Sequence, residues 1–196
     1  MNFIHSVRKY LRHVVCPLNN LIDKIPENSK LFDLGCGTGA FLLDALTQRN
    51  LKLVGGSETN EKLLNYAKNL LSKHSSNFKS DYFIESAMPP NFINQFDVIT
   101  LIDVLHHIPI KEQHSYLSNL YSNMNQNAIF ILKDIDAASP LAIFNKIHDF
   151  VFSGNGYQEQ SFRNIKNQCE LIGFKHVFEE KIRKLWYPHY LLIMKK

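Results

Sequence analysis

No part of this chain offers the long uninterrupted apolar run that a membrane span requires. Near the N-terminus Arg8, Lys9, Arg12 and His13 interleave with the apolar residues, so neither a signal peptide nor a membrane-spanning segment is expected there. Cysteine is scarce. Cys16, Cys36 and Cys169 lie far apart and form no CxxC pair, which argues against a disulfide framework or a zinc site and points to reduced thiols in a cytoplasmic protein. There is also no large excess of one charge. The net charge is only +4 and the Lys and Arg are dispersed; the densest basic stretch, Lys181-Ile182-Arg183-Lys184, alternates as a solvated strand face does. Nucleic acid is therefore not an expected partner. Glycine is sparse as well, 8 in 196 residues, so three glycines at alternate positions stand out.

Those three are Gly35, Gly37 and Gly39, at the end of the apolar run Leu31-Phe32-Asp33-Leu34 and just before the helical pattern that starts at Ala40. A tight strand-to-helix turn needs unusual backbone angles, and a Cβ would block the close approach of a ligand. The backbone N–H groups and the positive end of the next helix then face whatever binds. Glu58 follows nineteen residues beyond Gly39, at the end of the next apolar run, where its carboxylate can accept from both hydroxyls of a ribose. An adenosine-type cofactor is the expected ligand.

From Lys30 onward strand-like and helix-like segments alternate. Strands are expected at Leu31–Leu34, Leu51–Ser57, Asp81–Ile84, Phe96–Ile102 and Ala128–Leu132, and a helix at Ala40–Gln48. Asn60 is placed to cap a helix with Leu63, Leu64, Ala67, Leu70 and Leu71 on one face. Another helix carries Leu117, Leu120, Tyr121 and Met124. After Ser139 comes an aromatic-rich helical stretch, Leu141–Phe152, then Ser153-Gly154-Asn155-Gly156. The stripe Phe162, Ile165, Cys169 and Ile172 ends at Gly173. Strands at about Lys175–Arg183 and His189–Met194, joined by a turn with Pro188, should pair antiparallel. The expected fold is α/β: a doubly wound, mostly parallel seven-stranded sheet with an antiparallel C-terminal strand pair. One domain is expected over residues 1–196, with a helical cover at 1–25, a cofactor-binding core at 30–135, a substrate-side helical segment at 139–172 and the strand pair at 173–196. The ligand crevice should open at the carboxyl ends of the first and fourth strands.

From about Lys30 the chain resembles the class I S-adenosylmethionine-dependent methyltransferases. Asp33-Leu34-Gly35-Cys36-Gly37-Thr38-Gly39 looks like that family's first motif, and Glu58-Thr59-Asn60 is similar to its second. Phe96-Asp97-Val98-Ile99, running on through Val104-Leu105-His106-His107-Ile108, resembles the fourth-strand motif, and Gly173-Phe174 also recurs. The resemblance implies a Rossmann-like methyltransferase fold with S-adenosyl-L-methionine as cofactor. It carries over Asp33, Gly35, Cys36, Gly37 and Gly39 to the methionine end of the ligand, Glu58 and Thr59 to the ribose, Ser86 and Ala87 to the adenine, and Asp103 to the cofactor side of the fourth strand. Ser86 stands where the family often has an Asp, with Glu85 beside it, and Gln126-Asn127 replaces the usual glycine pair before the fifth strand.

Methyl transfer needs a base only when the acceptor arrives protonated. His106 and His148 are the expected catalytic candidates; Asp134 and Asp136 share a strand face by period two, and His107 is read as shaping its turn. Asp33 contacts the cofactor's amino group through water or shapes the turn. No metal is required. A small-molecule acceptor, apolar or aromatic given the aromatics of residues 141–162, is favoured by elimination. Two alternatives stay open: an NAD-dependent oxidoreductase, since Gly35 to Ala40 fits G-x-G-x-x-A, and a cofactor-binding partner protein without catalysis.

Overall fold

β-branched and aliphatic residues on both faces of the expected strands require helices on both sides of a sheet. The computed structural model has that arrangement and describes residues 18–74, 78–139, 159–184 and 187–196. In chain order the elements are α1 (Leu18–Ile22), β1 (Lys30–Leu34), α2 (Ala40–Gln48), β2 (Leu53–Glu58), α3 (Glu61–Ser72), β3 (Phe78–Glu85), a 3-10 turn (Asn91–Gln95) and β4 (Val98–Ile102). A second 3-10 turn (Leu105–His107), α4 (Ile110–Asn123), β5 (Ile129–Ile135), α5 (Phe162–Ile172), β6 (Lys175–Lys184) and β7 (Tyr187–Lys195) follow. The seven strands form one sheet in the order β3-β2-β1-β4-β5-β7-β6. β1 pairs in parallel with both β2 and β4, so the strand order reverses there. β7 runs antiparallel to β5 on one side and β6 on the other. The fold expected from the sequence is the fold observed.

Period two divides the core. Phe32, Ile99, Leu101, Phe130 and Leu132 pack with Tyr116, Leu117 and Leu120 of α4 and Phe162, Ile165 and Cys169 of α5. Leu31, Val98, Ile102 and Ile131 pack on the other face with Leu21, Phe41, Leu42, Ala45, Leu64, Ala67 and Leu71 of α1, α2 and α3. All five residues of β4 are buried. Asn60 caps α3, accepting from the N–H groups of Lys62 and Leu63, and Gly173 ends α5 at φ 120°.

Boundaries differ where backbone pairing across the sheet, or a neighbouring turn, sets them. β5 runs to Ile135 rather than stopping at Leu132, because β7 pairs with it as far as His189 opposite Ile135. Pro188 lies inside β7, opposite Arg183, rather than in the turn. β4 starts at Val98, since Phe96 closes the preceding 3-10 turn through its N–H to the Ile93 carbonyl. The β3-to-β4 crossover carries that short turn in place of an α-helix. Residues 2–15 and 141–158, expected to form an amphipathic helix and the aromatic cover with Gly154 and Gly156, lie outside the described residues. Among the described residues no helix is long and apolar enough to cross a membrane.

Candidate functional site

Where strand order reverses, neighbouring connections leave in opposite directions and open a crevice at the carboxyl ends of β1 and β4. A cavity of about 550 Å³ lies there, lined by residues from the ends of β1, β2, β3 and β4 and from α4. Gly35, Glu58, Thr59, Ser86, Ala87 and Asp103, scattered over 69 positions of sequence, all line it.

The glycine turn meets the cavity through Gly35, while Cys36, Gly37 and Gly39 do not line it. Gly35, Gly37 and Gly39 all adopt positive φ (75°, 54° and 75°). At Gly35 the requirement is also steric: a Cβ there would stand 2.5 Å from Cγ2 of Val104. The N–H groups of Gly35 and Cys36 both donate to the Ser57 carbonyl at 2.8 Å, tying the turn to β2. Asp33 is buried beneath the turn, its Oδ1 accepting from Thr100 Oγ1 at 2.6 Å. Cys36 is buried as well, packed so closely on Gly56 that a Cβ there would meet its Sγ at 2.9 Å. Burial, then the charges of Asp33 and Glu58, push the Cys36 thiol far above its usual range, so this sulfur supports the turn as an unreactive group.

Glu58 is held in one orientation. Its Oε2 accepts from the Gly37 N–H at 3.0 Å, and its Oε1 accepts from the Asn60 N–H at 3.0 Å and the Thr59 hydroxyl at 3.3 Å. A carboxylate has about four acceptor sites, so capacity for further donors remains. The Ser86 hydroxyl donates to the Met88 carbonyl and accepts from the Met88 N–H, closing its own turn at the cavity edge.

Past β4 the backbone turns sharply. Asp103 is left-handed at φ 55°, and both its carboxylate oxygens accept from Lys133 Nζ, at 2.7 and 2.8 Å. The two histidines that follow point to different places. His107 lines the cavity, whereas His106 is buried behind it, with Nδ1 donating to Asp134 Oδ1 at 2.6 Å. Their rings lie 4.1 Å apart. Burial alone would lower the His106 pKa, but the charge and hydrogen bond of Asp134 outweigh it and raise the pKa above the ordinary value. Gln113 of α4 clamps this turn by donating to the carbonyls of Leu105 and Ile108.

Asp136 does a different job from Asp134. Its Oδ1 accepts from the N–H groups of Ala138 and Phe162, its Oδ2 from Lys181 Nζ, and the Ala137 N–H donates to the Gln160 carbonyl. His148 lies outside the described residues. Sequence reasoning passed over Lys133, Gln113 and Tyr116. A lysine inside an apolar strand and a buried glutamine on a helix are signals of this kind, but neither names its partner.

His189, on β7 beside Lys133, is also buried. Burial first, then the Lys133 charge, lower its pKa from 6.5 to about 4. The folded state therefore favours neutral His189, so this contribution is present above about pH 6.5 and lost as pH falls toward 4. That gap corresponds to about 3 kcal/mol. His106 has the opposite sign, contributing fully below pH 6.5, and cannot cause an acid loss. Melting temperatures measured from pH 7.5 to 4.5 should fall less for His189→Gln than for the wild type. Parallel declines would rule His189 out.

The comparisons agree with this geometry. A methyltransferase domain model matches residues 4–179. The carboxy-S-adenosyl-L-methionine synthase of Campylobacter lari is 23% identical over 163 residues, covering 82% of this chain and 68% of that protein. The ubiquinone biosynthesis O-methyltransferase of Azoarcus sp. is 35% identical over 85 residues, 42% of this chain and 35% of that protein, so the chain spans only part of the length of the relatives it matches. Among solved structures, magnesium protoporphyrin IX methyltransferase from Synechocystis with bound SAH superposes with a TM-score of 0.71 at 18% identity, covering 100% of this chain and 88% of that one. With a matching model over nearly its whole length, the chain belongs to the methyltransferase domain family, within the class I methyltransferases that use S-adenosyl-L-methionine as cofactor.

Proposed function

We propose that this protein transfers a methyl group from S-adenosyl-L-methionine to a small-molecule acceptor of apolar or aromatic character. The observation that carries the reading is the Glu58 carboxylate, fixed by backbone N–H groups on the wall of a 550 Å³ cavity beside the glycine turn. The residues there fit the cofactor: Glu58 for the ribose hydroxyls, Ser86 and Ala87 for the adenine end, and Asp103 with the glycine turn, shaped from beneath by Asp33, for the methionine end. When bound, the cofactor supplies a methyl group already activated on a sulfonium sulfur. What the chain must add is alignment of the acceptor and exclusion of water. For an acceptor that arrives protonated, His107 is the proposed proton-handling group, since it lines the cavity, whereas His106, the candidate expected from the sequence, is buried behind it with its Nδ1 engaged by Asp134. His148 is the second proposed group.

The ubiquinone O-methyltransferase among the relatives supports a small aromatic acceptor, and the aromatics of residues 141–162 accord with it. The carboxy-S-adenosyl-L-methionine synthases suggest a carboxylated group as a second reading. A carboxylate in the cavity would need a cationic partner, and among the described residues lining it there is no lysine or arginine, which favours the plain methyl. A cytoplasmic setting is proposed from the scarcity of cysteine, and Cys36 and Cys169 are buried free thiols.

S-adenosylhomocysteine should raise the unfolding temperature of the purified protein, and NAD should not. Labelled S-adenosyl-L-methionine should then deliver its methyl to a member of a quinol, phenol and fatty-acyl library. Stabilisation by NAD alone would establish the oxidoreductase alternative. Tight cofactor binding with no transfer to any library member would favour the non-catalytic one.

A further inference from the structure

A lysine almost wholly buried in the middle of a central strand needs a reason, because removing an ammonium from water is costly unless it is well paired. Lys133 is such a residue, its side chain 3% exposed, between Ile102 on β4 and Leu191 on β7 in the register of the sheet. A methionine would fill that space without the desolvation cost. What the lysine adds is a two-oxygen contact with Asp103, reinforced by the Asp103 N–H donating to the Lys133 carbonyl. Asp103, in turn, is 26% exposed and lines the cavity. The one carboxylate that β4 delivers to this wall therefore arrives with its charge offset from behind.

We infer that Lys133 masks Asp103 from a cationic ligand and so sets how the site discriminates the sulfonium donor from the neutral thioether left after transfer. The inference rests on the cofactor reading above. Positive charge on sulfur falls as the methyl departs. An unmasked carboxylate nearby would hold the starting state more strongly than the transition state and slow the reaction. With Lys133 in place the part of the wall that follows β4 is close to neutral, and donor and product are held mainly by the parts they share.

Calorimetry with S-adenosyl-L-methionine and S-adenosylhomocysteine reads this as a ratio of dissociation constants. Damage to the fold, or to contacts with the shared adenosine and amino-acid parts, moves both affinities together and leaves the ratio unchanged. Lys133→Met should shift the ratio about fivefold or more toward S-adenosyl-L-methionine, the scale expected for one unscreened charge near the ligand. Asp103→Asn, nearly isosteric, should shift it comparably toward S-adenosylhomocysteine by exposing Lys133. The double variant should return to the wild-type ratio. Single variants that both keep the wild-type ratio overturn the inference; if Lys133→Met does not fold, an unchanged ratio in Asp103→Asn does so alone. A wild type that binds neither ligand overturns the cofactor reading, and the masking role falls with it.

Discussion

Gly37→Val should remove cofactor binding, with S-adenosylhomocysteine affinity falling on the order of 100-fold or more, because two requirements fail at one position. The backbone is left-handed there, φ 54°, a region that a β-branched side chain enters only with strain of roughly 1–2 kcal/mol. The Gly37 N–H also orients the Glu58 carboxylate, so a turn that relaxes toward negative φ releases the residue proposed to hold the ribose. Because the turn lies at the crevice, the sheet should survive, and circular dichroism with a cooperative unfolding transition checks this. A folded variant that binds like the wild type would remove the basis of the proposed site.

Removing the Glu58 carboxylate tests the other end of that contact. Two charge-assisted hydrogen bonds to ribose hydroxyls make Glu58→Ala cost about 2–4 kcal/mol, roughly 30- to 900-fold in dissociation constant. Glu58→Gln should fall between, since its carbonyl oxygen still accepts while its amide cannot accept from either the Gly37 or the Asn60 N–H. A change below about threefold in the alanine variant would show that another group, with Ser57 and Thr59 the adjacent wall residues, holds the ribose.

Local chemistry was legible wherever it is self-contained. α2 begins and ends at the residues its pattern marks, after Gly39, and α5 stops at Gly173 because a left-handed glycine ends it. The crevice could also be located in advance, since it follows from strand order alone. Partnership across the sheet was not legible. Lys133 and Asp134 look like charges leaving the core, yet both are buried, because Asp103 and His106 arrive from another strand end to meet them. The two histidines show the same limit. Adjacent residues of a 3-10 turn point about a third of a turn apart, and only the packing of α4 and β5 decides that His107, not His106, lines the cavity.

The clasp at Asp136 gives the fold a modular junction. One carboxylate holds the N–H groups of Ala138 and Phe162, and the Ala137 N–H meets the Gln160 carbonyl, so the chain leaves β5 and enters α5 at nearly one point. Closing a longer excursion between fixed ends costs only about 0.6 kcal/mol for each doubling of its length. Evolution, or an engineer, can therefore exchange the intervening stretch while β5, α5 and the cofactor crevice keep their geometry. Changes of length or sequence between Asp136 and Phe162 should leave the residues around Glu58 in place.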